Sequence, residues 1–238
     1  MLNKQIPIKS ESERELLVHS IFYTIQGEGP FAGECAVFVR LGGCNLQCPK
    51  CDTEYTNGSI RMTPDTITFE AHKYWIWGRP GHANRKPVPP LVVITGGEPF
   101  RQNIGPLVSM MIRSGWRVQI ETNGTLFRED LPYGLGRLTI VCSPKAGKVN
   151  RHLEPYISAY KYVLAADGVD YSDGLPTSAL GLPSRPARPI RPGTPVYVNP
   201  VDDKEPIIND QNLEAAARSC LKFGYRLGVQ MHKLANLE

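Results

Sequence analysis

The 238-residue sequence contains no apolar run long enough to cross a membrane. Its unbroken apolar stretches, such as Leu91 to Ile94, are far short of the roughly 18 residues that a spanning helix needs. It also lacks a Lys/Arg run. With 27 basic against 23 acidic residues the formal charge is +4, which suits an anionic small molecule and does not demand nucleic acid. The first residues carry Lys4, Lys9 and Glu11 with no apolar segment of the secretory kind, so a cytoplasmic, membrane-free protein is expected. Internal repeats and low-complexity tracts are absent as well. A chain of this length can bury about 70% of the surface it exposes when unfolded, so it needs no disulfide scaffold.

Cysteine is sparse but clustered. The six are Cys35, Cys44, Cys48, Cys51, Cys142 and Cys220, and three of them fall within eight residues. Thiols so close cannot easily pair among themselves, and in an intracellular protein such a cluster points to metal binding or redox chemistry. The spacing Cys44-x3-Cys48-x2-Cys51 lets one loop wrap an inorganic cluster. Iron–sulfur clusters usually take four cysteines. Three leave one iron open, and an open iron on a four-iron cluster can bind S-adenosylmethionine through its amine and carboxylate. Zinc is the alternative, although there is no second C-x2-C and His72 and His82 are not at ligand spacing. Cys35, Cys142 and Cys220 are expected to be buried thiols.

Short β-branched runs predict strands over Leu16 to Ile25, Ala36 to Leu41, Leu91 to Thr95, Val118 to Thr122, Leu138 to Cys142, Tyr160 to Leu164 and Val196 to Val198, with Arg226 to Met231 a further candidate. Helices are predicted over Pro64 to Trp77, Ile104 to Ser114 and Leu213 to Phe223, the last capped by Asn209 or Asp210 and ended by Gly224. Alternating strands and helices predict an α/β fold, a parallel sheet or barrel over 1–238 as one domain. Gly78 to Pro90, with four prolines, and Gly174 to Pro195, with six, must be loops. Residues 174–195 also carry Arg185, Arg188 and Arg191, and read either as a basic lid or as a solvated insertion.

After the third predicted strand comes Thr95-Gly96-Gly97-Glu98-Pro99. In an α/β barrel the strand C-termini form the active face. Glycines there let the backbone approach a ligand, and Glu98 could accept hydrogen bonds from the cofactor's ammonium. An ordinary strand-to-helix turn is the plainer reading.

The cysteine motif with GGEP resembles the radical S-adenosylmethionine superfamily. Within it, the sequence is similar to the 7-carboxy-7-deazaguanine synthases from about Ser20 to Lys233. The supporting segments are Tyr23 to Gly29 (YTIQGEG), Phe38 to Leu41 (FVRL), Cys51 to Thr53 (CDT), Thr95 to Pro99, Glu121 to Gly124 (ETNG), Ser143 to Lys145 (SPK) and Gln230 to Lys233 (QMHK). A glycyl-radical activase would share the cysteines and GGEP but has no reason to combine them with the other segments.

The resemblance implies a partial, modified (βα)6-type barrel. It implies conversion of 6-carboxy-5,6,7,8-tetrahydropterin to 7-carboxy-7-deazaguanine with loss of ammonia. The reduced cluster cleaves S-adenosylmethionine, and the 5′-deoxyadenosyl radical takes hydrogen from C6, the cofactor carrying the hard step. It also implies a magnesium ion, a homodimer and a flavodoxin- or ferredoxin-type electron donor, with no direct contact to nucleic acid.

Residue by residue, Cys44, Cys48 and Cys51 resemble the cluster ligands, and Thr53 the magnesium ligand, although Asp52-Thr53 also suits a turn. Gln26, Gly27 and Glu28 resemble the readers of the pterin edge, where an amide and a carboxylate match neighbouring donors and acceptors; a hairpin turn is the alternative. Arg40 ends a buried strand, where an unpaired charge is costly. Its fork suits the substrate carboxylate or an internal salt bridge. Thr95 and His232 look like further substrate contacts. Gly97, Glu98, Asn123, Ser143, Lys145 and Asn199 look like contacts for S-adenosylmethionine; Asn123-Gly124 also suits a simple turn.

Overall fold

The computed structural model describes residues 14–78, 89–235 and 237. The predicted loop over Gly78 to Pro90 therefore lies mostly outside the described residues. Nine strands occur among them: β1 (Leu16–Ile25), β2 (Cys35–Leu41), β3 (Ile60–Met62), β4 (Leu91–Gly96), β5 (Arg117–Thr122), β6 (Leu138–Cys142), β7 (Ile157–Leu164), β8 (Val196–Pro200) and β9 (Arg226–Leu227). The helices are α1 (Pro64–Trp77), α2 (Gly105–Arg113), α3 (Pro206–Phe223) and α4 (Met231–Leu234). Among the described residues no helix is long and apolar enough to cross a membrane.

The strands form one open sheet in the order β3-β1-β2-β4-β5-β6-β7-β8-β9. From β2 to β9 every neighbouring pair is parallel. β1 and β3 are antiparallel additions at one edge. The result is a partial barrel that does not close, as expected for a modified (βα)6-type fold. Helices accompany only some crossovers: β5 to β6, β6 to β7 and β7 to β8 are joined without an α-helix.

Alternation along each strand sorts the side chains. Val37, Val39, Leu41, Val92, Ile94, Val118, Ile120, Ile140, Tyr160 and Tyr162 join one apolar core with residues of α1 and α2. Trp116, fully buried there, donates from its indole to His72 Nε2 at 3.0 Å. The opposite face is mixed. Ala36, Leu91 and Val93 make a small apolar patch, whereas Arg40, Gln119, Glu121 and Lys161 bring charge and amide groups into the sheet interior. The short strands are thus buried on both faces, one dry and one polar.

Local sequence explains the helix ends. Thr63 caps α1 by accepting from the Thr66 amide at 3.2 Å. Gly224 ends α3 at φ 74, a left-handed position that favours glycine. The start of α3 differs from expectation. It begins at Pro206, so Asn209 and Asp210 lie inside the helix. Asn209 instead ties down the preceding loop, accepting from the Asp203 amide at 2.8 Å and donating to Asp202. The strand expected over Arg226 to Met231 is two residues long and gives way to α4. Cys35, expected to be buried, is exposed at the start of β2, while Cys142 and Cys220 are buried.

A single buried side chain clips the antiparallel edge to the parallel sheet. Gln102, 5% exposed, donates to the carbonyls of Leu17 and Gly42 and accepts from the Leu17 amide at 2.7 Å. Gln102→Leu leaves the Gly42 carbonyl buried without this donor, while the half-buried Leu17 keeps the Gly42 amide on its carbonyl, a loss of about 1–3 kcal/mol. The urea midpoint should fall with the slope unchanged.

Candidate active site

At the C-terminal ends of the parallel strands lies a cavity of about 270 Å3. Cys44, Cys48, Cys51 and Thr53 line it together with Gln26, Glu28, Arg40, Thr95, His232, Gly97, Asn123, Ser143 and Lys145. Segments spread over two hundred residues of sequence thus converge on one space. None of the six cysteines is in a disulfide.

The cysteine loop is fastened by backbone. After β4 the Gly97 amide donates to Leu41 O at 3.0 Å, and the Glu98 amide donates to Gly43 O at 2.9 Å. A Cβ on Gly97 would stand 1.9 Å from Gly43 O, and one on Gly96, at φ 127, would stand 2.1 Å from Leu41 O. The two glycines therefore allow close approach of two backbones, and both also line the cavity. Arg101 adds a bond from its guanidinium to Cys44 O at 2.7 Å. On the far side Asn123 Nδ2 donates to Asn45 Oδ1 at 2.9 Å.

Glu98 does not line the cavity and is fully buried. Its carboxylate accepts from the Phe100 amide, the Thr122 hydroxyl at 2.7 Å and the Asn123 amide at 2.7 Å. Burial pushes its pKa up while these donors pull it down. In this arrangement it braces the rim. Asn199 also lies off the cavity, 1% exposed, with no hydrogen-bond partner for either amide atom among the described residues and Gly228 packed against it.

The floor carries a charge network that the sequence reading missed. Lys161 projects from the middle of β7 and pairs with Glu28 and, at 3.0 Å, with Glu121. Gln26 Nε2 and Gln119 Nε2 donate to the other oxygen of Glu121, at 3.1 and 3.0 Å. Gln230 donates to Glu28 Oε1 at 2.7 Å, and the Glu28 amide donates to Gln26 Oε1. Burial raises the Glu28 pKa, but Lys161 and Gln230 outweigh it and hold the carboxyl at about 2. Burial likewise works against the Lys161 charge, and Glu121 and Glu28 overcome it, lifting its pKa. A lysine inside an apolar strand, ISAYKYVL, was the available signal. The Gln26 to Pro30 turn serves both readings: it closes the β1–β2 hairpin, with Gln26 and Glu34 paired through backbone, and turns Gln26 and Glu28 inward.

Arg40 has no salt bridge among the described residues. Its guanidinium stacks over Phe22, 5.1 Å from the ring centre, and its buried Nε has no partner. His232 sits against Gly27, where a Cβ would meet its Nδ1 at 2.0 Å. Burial lowers its pKa against the pull of Glu28. Lys145 donates to Ser143, and its burial, with Lys161 nearby, lowers its pKa.

Burial pushes the Cys44 thiol up to about 11. Three thiols on one braced loop, facing one cavity, fit a cluster that takes three thiolates and keeps an open iron. Among the described residues no three His, Cys, Asp or Glu converge on a single metal ion; a four-iron cluster does not ask that of the loop, since each thiolate would take a different iron. For the zinc alternative, His72 is occupied by Thr68 O and Trp116, and His82 lies outside the described residues. Thr53 Oγ1 donates to Asp52 at 3.1 Å.

An open parallel α/β sheet with a three-cysteine loop and GGEP at its C-terminal rim defines an enzyme of the radical S-adenosylmethionine class. No family model matches the chain. Individual relatives do. A 7-carboxy-7-deazaguanine synthase of Rhodospirillum rubrum is 46% identical over 230 residues, covering 93% of this chain and 92% of the relative. One of Rickettsia prowazekii is 39% identical over 243 residues, covering 99% and 94%. The chain belongs to the 7-carboxy-7-deazaguanine synthase family. The crystal structure of QueE from Escherichia coli shares the fold, with a TM-score of 0.63 at 20% identity over 91% of this chain and 94% of that one.

The charge network makes a signed prediction. In the native protein the Glu28 carboxyl lies below its ordinary 4.5, so its stabilisation is complete above that pH and lost only as pH falls through about 2. Lys161→Met leaves burial to dominate, so the carboxyl pKa rises above its ordinary value and stability then declines as pH rises. The variant should lose about 3–5 kcal/mol at neutral pH. Denaturant titrations should show a larger deficit at pH 8 than at pH 5; an equal deficit would refute the network.

Proposed function

We propose that this chain converts 6-carboxy-5,6,7,8-tetrahydropterin to 7-carboxy-7-deazaguanine with loss of ammonia, supplying 7-deazapurine biosynthesis of the queuosine type. One observation carries the reading: the three-cysteine loop, the acid–amide floor and the unpaired Arg40 guanidinium share a single cavity. Cys44, Cys48 and Cys51 would hold a four-iron cluster, with S-adenosylmethionine on the open iron. When bound, this pair supplies the radical that takes hydrogen from C6 of the substrate.

The chain's own residues bind and orient. Arg40 faces the cavity with a fork that suits the substrate carboxylate. Glu28 stays ionised and presents an acceptor to the amino-pyrimidinone edge, with Gln26 fixing its backbone amide. His232 has a lowered pKa, so its neutral ring offers one donor and one acceptor beside Gly27. Thr95 is next to Arg40 across the β2–β4 pair. Ser143, Lys145, Asn123 and Gly97 form the rim on which S-adenosylmethionine would sit. Glu98 braces this rim from behind through the Thr122 hydroxyl and the Asn123 amide.

The reading extends to a magnesium ion taken by the Thr53 hydroxyl together with the substrate carboxylate, since a hard cation wants oxygen donors. It extends further to a single catalytic domain with 174–195 as an insertion, and to a cytoplasmic homodimer reduced by a flavodoxin- or ferredoxin-type donor. These last points rest on the family resemblance.

Anaerobic incubation with iron-loaded protein, reductant, S-adenosylmethionine and the carboxy-tetrahydropterin should yield 7-carboxy-7-deazaguanine by mass spectrometry. No product from protein with a full cluster would refute the reading. Replacing all three loop cysteines by alanine should abolish the brown chromophore. Arg40→Lys should keep the chromophore and raise KM about tenfold or more, because a charge-assisted bond contributes about 1.5–3 kcal/mol. An unchanged KM would argue against the carboxylate contact.

A further inference from the structure

The proline-rich segment between β7 and β8 is firmly tied at its base. Arg185 and Arg188 pair with Asp170 and Asp173, and Arg191 donates to the carbonyls of Pro155 and Ile157. The Tyr162 and Tyr225 hydroxyls donate to Ala187 O and Asp173 O, and Ser219 donates to Gly174 O. The arginines that suggested a basic lid are thus spent on holding the segment in place.

What this scaffold presents is a tight turn, Ala179-Leu180-Gly181-Leu182, closed by the Leu182 amide on Ala179 O at 2.9 Å. Both central residues are left-handed, Leu180 at φ 48 and Gly181 at φ 81. Two such residues in succession favour Asn-Gly, and a γ-branched Leu in the first place is strained. Strain of this kind persists where the surroundings impose it, often at functional sites. Here the surroundings are the cysteine loop. Leu180 O accepts from the Lys50 amide at 3.0 Å, and Gly181 packs over Pro49, both between Cys48 and Cys51. Leu180 lines the same cavity as the three cysteines.

We propose that Leu180 is a fixed apolar cover over the cysteine loop, keeping water and dioxygen from the group bound there and limiting unproductive quenching of the radical. The turn's backbone fixes the cover's position, and the side chain supplies the apolar bulk. A polar or absent side chain would relax the turn and open the site at once. The inference rests on the function proposed above, and deepens it.

The test uses full-length protein loaded anaerobically with iron and sulfide. Leu180→Asn and Leu180→Gly both suit the left-handed position, so melting temperatures should be unchanged or slightly higher. Leu180→Met keeps the apolar bulk and serves as the control. On exposure to air-saturated buffer without substrate, the Asn and Gly variants should lose the visible cluster absorbance several-fold faster than wild type, and the Met variant at the wild-type rate. In turnover, 5′-deoxyadenosine released per product should rise several-fold in the same two variants. Wild-type bleaching rates and coupling in the Asn and Gly variants, at equal iron content, would overturn the cover. If wild type forms no product but bleaching still depends on position 180, the cover stands and the substrate assignment falls.

Discussion

The site depends on two backbones lying in contact. Gly96 and Gly97 run so close to Leu41 and Gly43 that no side chain fits between them, and two amide–carbonyl bonds join the segments. Everything at the rim follows from that contact. It sets where the cysteine loop leaves the sheet, and it places Glu98 behind the rim, where its carboxylate draws in Thr122 and the Asn123 amide. Asn123 then reaches across to Asn45, so the loop is held from both sides. A loop that must surround an inorganic cluster has few side chains to spare for its own stability. Fastening it through main chain and through residues of neighbouring strands leaves its thiols free for ligation.

The second constraint is electrostatic. A lysine and two carboxylates are removed from water on the polar face of the sheet, an arrangement favourable only when every charge has close partners. Here amides from Gln26, Gln119 and Gln230 complete the set. The network joins the turn after β1 to β5, β7 and the Gln230 segment, and so couples the cavity's shape to its charge. The mild +4 of the chain conceals this. The important charges are few and internal, and one of them, on Arg40, is left unpaired towards the cavity.

Much of this was legible in the sequence. Strands over Leu16–Ile25 and Leu138–Cys142 and the helix over Pro64–Trp77 have the expected limits, because turn residues and caps mark them locally. The cysteine spacing and GGEP pointed to the right chemistry. The rest is set by distant contacts. Arg226 to Met231 has the composition of a strand, but the Met231 amide approaches Gly27 O and Lys233 pairs with Asp202, which turns the segment into a short helix. Asn209 looks like a cap, and its partners lie in the preceding loop. Lys161 and Glu121 stand in strands whose neighbours are apolar, and only the sheet order shows that both point to the same polar face. The partners of Glu98, the Phe100 and Asn123 amides and the Thr122 hydroxyl, were likewise visible only in the folded chain.

Gln230 and His232 close the cavity from the far end of the sequence, against residues 26 to 28 near its start. The cavity is therefore complete only when two segments 202 residues apart have met. Its shape depends on assembly of the whole sheet between them, so a change far from the cysteine loop that shifts either segment would alter the pocket without touching a thiol.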